Sequence, residues 1–363
     1  MSGELKLRSL HVTTTGNCQK IEKNVALETP IAIRVNGYHF ATLFATPFQQ
    51  KQLALGHLLG EGVVKSLREI SNVDVKESEV NVSVSNDISK RLEAAHVFKV
   101  QTTACGSMDD YYGVLEQLDK PIVTSTYQTT PENISDMVTA LSQKSTLRRD
   151  RTAVHAAGLF MKGNMIAYAE DAGRHNTVDK VIGEGMEQTV NFSESVIVTT
   201  GRQASDMVLK AARAGVPITV AMRGALYSGI FVAWKTNLTL IAHARKSSME
   251  IYTYPDRILS SAPRVGKIPI TSSADAPALA HSIQSMELNP DKTLDVRKLL
   301  CPTLVQELTE AIKTVGVGKL IEIITADPMT LVDVPAWAFR EKQQIVASQD
   351  DWLQIRFFVR RLT

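Results

Sequence analysis

The chain has 363 residues, 44% hydrophobic and 21% charged, which is ordinary globular usage and enough apolar material for packed cores in two or three domains. Its 40 basic and 38 acidic residues leave a formal net charge of +2, so no global charge marks it as a nucleic-acid binder. The most apolar run stops at Lys235, far short of the ~18 residues that a membrane-spanning helix needs, and no signal peptide is read, so a cytoplasmic protein with no membrane partner is expected.

The first expected elements are strands at residues 31–35 and 39–44, joined across Asn36-Gly37. Thr46-Pro47 then opens a helix through Leu53, Leu55, Leu58 and Leu59, stopped by Gly60-Glu61-Gly62. Strands follow at 80–84 and 97–100, and residues 102–107, which include Cys105, read as a loop. From Pro131 helix and strand alternate. Helices are expected at 133–147, 177–186, 205–214 and 227–235. Strands are expected at 156–161 and 165–169, paired around Lys162-Gly163-Asn164, and at 195–200, 218–222 and 238–242. This alternation predicts a layered α/β domain.

Residues 259–290 are rich in Pro, Ser and Ala and read as a linker between domains 1–258 and 291–363. The last segment reads as strand, helix, strand, helix and a final strand pair, a small βαβαββ two-layer sandwich.

Three cysteines, Cys18, Cys105 and Cys301, lie far apart and form no C-x-x-C pair, so neither a disulfide framework nor a zinc or other metal site is expected. Pro302 suits the first turn of a helix, since its missing N–H is one the helix does not use. Cys301 then sits beside the N-cap, where unpaired N–H groups and the positive end of the dipole favour a thiolate. Read alone, that position serves a buried structural cysteine equally well. Residues 294–304, Thr325-Ala326-Asp327-Pro328 and residues 332–338 together resemble the TusA/SirA family of small sulfur carriers, over 291–363. That family carries a persulfide on the cysteine of a C-P-x-P motif. Here the motif reads Cys301-Pro302-Thr303-Leu304, without the second proline. The resemblance implies Cys301 as a persulfide site, with Asp327 and Asp333 as framework positions.

In the larger domain, Arg174, His175 and Asn176 fall at a helix mouth with Asp179 and Lys180 one turn on, a set that can hold an anion. Gly201-Arg202 follows a strand and precedes a helix, a common place for phosphate contact. His155 precedes an apolar strand. Each has a plainer reading, as a solvated loop arginine or a satisfied core histidine. Taken with Thr46-Pro47, Glu61-Gly62, residues 207–217 and residues 251–257, these segments resemble the formate dehydrogenase accessory protein family of FdhD type, over 24–258.

That resemblance implies a three-layer fold like cytidine deaminase. It implies sulfur transfer from a cysteine desulfurase to a guanine-dinucleotide cofactor, molybdenum (or tungsten) bis(molybdopterin guanine dinucleotide), for maturation of formate dehydrogenase. The implied cofactor site takes His155, Arg174, His175, Gly201, Arg202 and the stretch His243-Ala244-Arg245-Lys246-Ser247-Ser248, with GDP or GTP as related ligands. Implied partners are the desulfurase, the catalytic subunit of formate dehydrogenase and a second copy of the chain. Deaminase chemistry is not implied. A zinc deaminase needs H-x-E and P-C-x-x-C, and His155 is followed by Ala156-Ala157.

Two stretches depart from the FdhD pattern. The C-G-x-C-G loop reads Cys105-Gly106-Ser107-Met108-Asp109, so Cys105 is kept as the expected sulfur-carrying position and the second thiol becomes a thioether. A Ser-Ala-Pro-Thr stretch is replaced by Met222-Arg223-Gly224-Ala225-Leu226-Tyr227. Cys18 lies outside the resemblance and is expected to be incidental. Two functions follow: a sulfurtransferase carrying persulfides on Cys105 and Cys301, or a chaperone that binds the cofactor and moves no sulfur. A relay toward tRNA thiolation is disfavoured by the near-neutral charge.

Overall fold

The computed structural model describes residues 4–85, 87–89, 91–92, 121–144, 153–258, 289–297, 303–325, 330–350 and 354–362. Cys105, Met108, Cys301, Asp327, the strand expected at 97–100 and positions 259–288 of the expected linker lie outside the described residues. The chain divides into two compact units, Met1–Ser260 and Ser261–Thr363.

The first unit opens with an antiparallel ribbon, β1 (Glu4–Val12) and β2 (Cys18–Ala26). The sequence predicts no strand here. Nearly all of it is exposed, so burial imposes no alternation for a pattern reading to detect. Strands β3 (Thr29–Val35), β4 (Tyr38–Ala45), β5 (Ile70–Lys76) and β6 (Glu79–Val84) form a sheet ordered β4-β3-β6-β5. The expected turn joins β3 to β4, with Asn36 and Gly37 at φ 51° and 84°, the mirror-image geometry that suits a two-residue hairpin. Helix α1 (Gln50–Gly60) starts later than Thr46-Pro47 predicts. Thr46 is tied instead to another part of the chain: its N–H donates to Asp171 Oδ2 at 3.0 Å and its hydroxyl accepts from Ala172 N at 3.2 Å.

The main sheet holds β7 (His155–Met161), β8 (Asn164–Asp171), β9 (Ser195–Thr199), β10 (Ile218–Ala221), β11 (Thr239–Ala242) and β12 (Glu250–Ile251). Their order is β12-β11-β10-β9-β7-β8. The central β9, β10 and β11 are parallel, and β7, β8 and β12 each run antiparallel to their neighbour. One face packs on α2 (Pro131–Lys144), where Ile134, Met137 and Leu141 meet Phe160, Val196, Val198 and Val220. The other face, through Leu159, Ile197 and Leu240, packs into the core shared with α1, α3 (Arg174–Glu187), α4 (Ser205–Ala214) and α5 (Tyr227–Lys235). Val196 and Val198 thus face one layer and Ile197 the other. A strand buried on both sides reads as an apolar run, which is why its periodicity is hidden in the sequence. The result is a three-layer α/β/α domain. Helices α1 and α3 meet backbone to backbone. A Cβ on Gly56 would fall 1.8 Å from Asp179 O, and one on Gly183 1.9 Å from Gln52 O.

The second unit runs β13 (Lys292–Asp295), α6 (Thr303–Lys313), β14 (Leu320–Thr325), α7 (Thr330–Arg340), β15 (Gln344–Asp350) and β16 (Ile355–Arg360). The sheet order is β13-β14-β16-β15, with β13 parallel to β14. Ile321, Ile323, Phe357 and Val359 form one side of a core with Leu304, Leu308, Ile312 and Trp337. Buried Trp337 still satisfies its indole N–H, which donates to Thr309 Oγ1 at 3.0 Å. This is the βαβαββ two-layer sandwich.

Candidate functional site

Because β9, β10 and β11 are parallel, their carboxyl ends share one edge of the main sheet. Antiparallel pairing brings the start of β7 and the end of β8 to the same edge, with His155 opposite Asp171. Open α/β sheets bind ligands outside the carboxyl ends of their strands. Every described residue of the expected cofactor site lies here. His155 begins β7, and Arg174 and His175 begin α3. Gly201 and Arg202 follow β9, and 243–248 follow β11.

Backbone hydrogen bonds hold these loops together. Met222 N donates to Thr199 O at 2.9 Å, Gln203 N to Gly224 O at 3.2 Å, His243 N to Arg223 O at 3.0 Å and Ala244 N to Ala221 O at 3.0 Å. Gly201 donates to Thr199 Oγ1 at 3.1 Å, and a Cβ on it would fall 3.1 Å from Arg174 Cβ, so a small residue lets β9 and α3 meet. His243 takes a left-handed conformation at φ 50°. Arg245 closes a turn through its N–H to Ser248 O at 2.8 Å, and its guanidinium donates to the carbonyls of Met222 and Ala244. Ser135 donates to Lys246 O at 2.6 Å, which anchors the far end.

The edge is electropositive in two ways. Helices α3, α4 and α5 all begin on it, from Gly173, Ala204 and Leu226, none of which supplies a capping side chain. Uncapped helix N-termini favour anions. In addition, Arg174, Arg202, Arg223, Arg245 and Lys246 form no ion pair among the described residues. Arg174 Nε is buried without a hydrogen-bond partner, and so is Oε1 of the buried Gln203. Donors without counter-ions, with a buried orphan among them, fit a phosphate-bearing ligand. Asp206, in the first turn of α4, is engaged: its Oδ2 lies 2.6 Å from His175 Nε2. Burial alone would raise the Asp206 carboxyl, but His175 and Lys210 outweigh it and hold the group below its ordinary range.

Asp179 and Lys180 do not belong to this mouth, contrary to the sequence reading. Both side chains are buried beneath it in separate clusters. Lys180 Nζ donates to Asp171 Oδ2 at 2.6 Å and to Thr46 O at 3.0 Å. Lys210 Nζ donates to both Asp179 oxygens at 2.6 and 2.7 Å, and His57 Nδ1 lies 3.1 Å from Asp179 Oδ2. Consecutive residues on a helix point some 100° apart, so each found its own partner. Conversely, Arg223 was not picked out. Its signal was its place, directly after a buried strand and before a glycine.

The two expected sulfur-carrying positions, Cys105 and Cys301, lie outside the described residues. Cys18 is exposed, with Sγ 3.7 Å from Gly16 O. Among the described residues no group of three or more His, Cys, Asp or Glu is arranged to hold a metal, and no helix is long and apolar enough to cross a membrane.

The FdhD/NarQ family model matches residues 26–259, and the sulfurtransferase TusA model matches residues 292–361. A sulfur carrier protein FdhD of Bacillus subtilis is 30% identical over 244 residues, 67% of this chain and 93% of that protein. The protein of the same name in Methanothermobacter thermautotrophicus is 31% identical over 244 residues, covering 66% and 94%. A Desulfotalea psychrophila chain, solved by crystallography as a candidate formate dehydrogenase accessory protein, superposes with a TM-score of 0.58 at 28% identity. The match covers 70% of this chain and 99% of that one.

Proposed function

The chain belongs to the FdhD/NarQ family and carries a TusA domain behind it, and from that premise we propose that it passes sulfur, as a cysteine persulfide, to a guanine-dinucleotide cofactor bound on the main-sheet edge. The observation that carries the cofactor part is the set of edge arginines without counter-ions among the described residues, at the carboxyl ends of three parallel strands. The cofactor in this reading is molybdenum or tungsten bis(molybdopterin guanine dinucleotide), the donor a cysteine desulfurase, and the client the catalytic subunit of formate dehydrogenase. A homodimer is part of the same reading.

Each transfer between cysteines is an exchange without net redox change. A cysteine thiolate attacks the outer sulfur of the donor persulfide, a new S–S bond forms, the old one breaks, and the donor leaves as a thiolate. We assign Cys301 as first acceptor and Cys105 as deliverer. A tethered carrier makes the second step intramolecular, at an effective concentration on the order of millimolar where the linker spans both sites. Mass spectrometry after incubation with desulfurase and cysteine tests this. Cys105→Ala should still accumulate sulfur on Cys301, and Cys301→Ala should leave Cys105 poorly loaded. Rapid loading of Cys105 in Cys301→Ala would overturn the order. A second reading, a chaperone that binds the cofactor without moving sulfur, draws on Met108 in place of the second loop thiol. It predicts no added sulfur on either cysteine.

A further inference from the structure

The loop between β10 and α5 is threaded between its two neighbours. Met222 and Leu226 donate to Thr199 O and Gln203 O at 2.9 and 2.7 Å, and Gln203 N donates back to Gly224 O at 3.2 Å. On the opposite flank His243 N donates to Arg223 O at 3.0 Å. Gly224 lies against the His243 ring, where a Cβ would fall 3.1 Å from Nε2. These bonds fix the Arg223 backbone at the middle strand end, between Arg202 and Arg245, and leave its side chain exposed. Nearby carboxylates are engaged: Asp206 lies 2.6 Å from His175, and Glu250 accepts from the Tyr252 hydroxyl at 2.6 Å. Neighbouring strands are about 4.8 Å apart, so the three loops that carry this row of arginines start within about 10 Å of one another. A single phosphate cannot use such a row, whereas linked phosphates can engage successive arginines through planar, bidentate forks.

We propose that Arg223 is a specificity-determining residue that contacts the second phosphate of a nucleoside diphosphate moiety, so that this edge selects diphosphate-bearing ligands over monophosphates. The assignment rests on the cofactor-binding reading above and adds a residue and a selectivity to it. The full-length protein, titrated calorimetrically with GDP and with GMP, tests it. Wild type should bind GDP about tenfold or more tightly than GMP, the size of one charge-assisted contact. Arg223→Ala should weaken GDP about tenfold or more and leave GMP unchanged. Arg223→Lys should recover only part, because an ammonium lacks the fork. The side chain is exposed, so melting temperatures should coincide. Equal GDP affinity in wild type and Arg223→Ala, or an equal loss for both nucleotides, overturns the role of Arg223 and leaves the edge as the binding site. Failure of wild type to bind GDP overturns both.

Discussion

Within the first unit, two sets of charges grow from the same stretch of sequence and behave in opposite ways. Asp171, Asp179, Lys180 and Lys210 are buried, and each lies within 2.6 or 2.7 Å of an opposite charge. Arg174, five residues before Asp179, faces the strand ends with Arg202, Arg223 and Arg245, and none of these has a described carboxylate. A charge inside the protein must be paired, because desolvation costs several kcal/mol per ion. An arginine at the surface carries no such requirement. Arg202, Arg223 and Arg245, exposed at one edge with no ion pair among the described residues, are therefore a property of what binds there, and the buried pairs are a property of how the helices stack. Residue type alone does not separate the two roles; burial does.

Removing a buried partner should give the largest effect. Lys210→Met leaves Asp179 inside the protein with His57 as its remaining neighbour, and should cost about 3–5 kcal/mol of stability by urea denaturation. A loss below about 1 kcal/mol would show that the pair does not hold α3 to α4. The edge should respond in the other observable. Arg202→Ala should change stability by no more than about 0.5 kcal/mol and weaken GDP binding by about 1.5–3 kcal/mol. Arg245→Ala should weaken binding similarly, but its guanidinium also donates to the carbonyls of Met222 and Ala244, so some stability should go with it. An Arg202→Ala protein that melts early and binds normally would reverse the comparison.

Much of this could be read beforehand. The helices at 205–214 and 227–235 stand where apolar spacing places them. Those signals are local. The resemblance also gathered residues that the fold brings to one edge from four separate segments. What spacing could not show is long-range. The sorting of Asp179 from Arg174 depends on Lys210 arriving from another helix, and the delayed start of α1 depends on Asp171 capturing Thr46. The ribbon at 4–26 has no burial to print a pattern on its sequence.

Acidity sharpens the comparison. Burial by itself would raise Asp179, but Lys210 and His57 prevail and keep its carboxyl below the ordinary range. Lys210 is also buried, yet Asp179 and Glu61 hold its ammonium above the ordinary range. A depressed carboxyl stabilises above the unfolded pKa of about 3.9, and the contribution is lost as pH falls through the folded value. A raised ammonium stabilises below about 10.4 and loses its contribution as pH rises through the folded value. In Lys210→Met the cost of burying the charged carboxylate is left without its main opponent, so Asp179 should take up a proton at higher pH. Denaturation at a series of pH values should then show the gap between wild type and variant narrowing from pH 7 toward pH 4. A constant gap would mean that Asp179 is not the charge Lys210 compensates.

An ion pair outside the core separates pairing from burial. Arg34 Nε lies 2.7 Å from Glu79 Oε2 across the β3–β6 pairing, as close as the buried pairs, but both side chains are 38–40% exposed. Water already solvates each group, so the attraction is weak and ordering two long side chains opposes it. Glu79→Gln keeps the shape and a hydrogen-bonding oxygen while removing the charge. It should cost less than about 1 kcal/mol, and the cost should fade as salt is raised. The same distance is thus expected to be worth several times less than at Lys210. If Glu79→Gln costs as much as Lys210→Met at matched salt, proximity rather than desolvation sets the energy of these pairs. The unpaired arginines at the sheet edge would then forgo a comparable stabilisation, and the inference that a ligand supplies their counter-charge would have to rest on binding measurements alone.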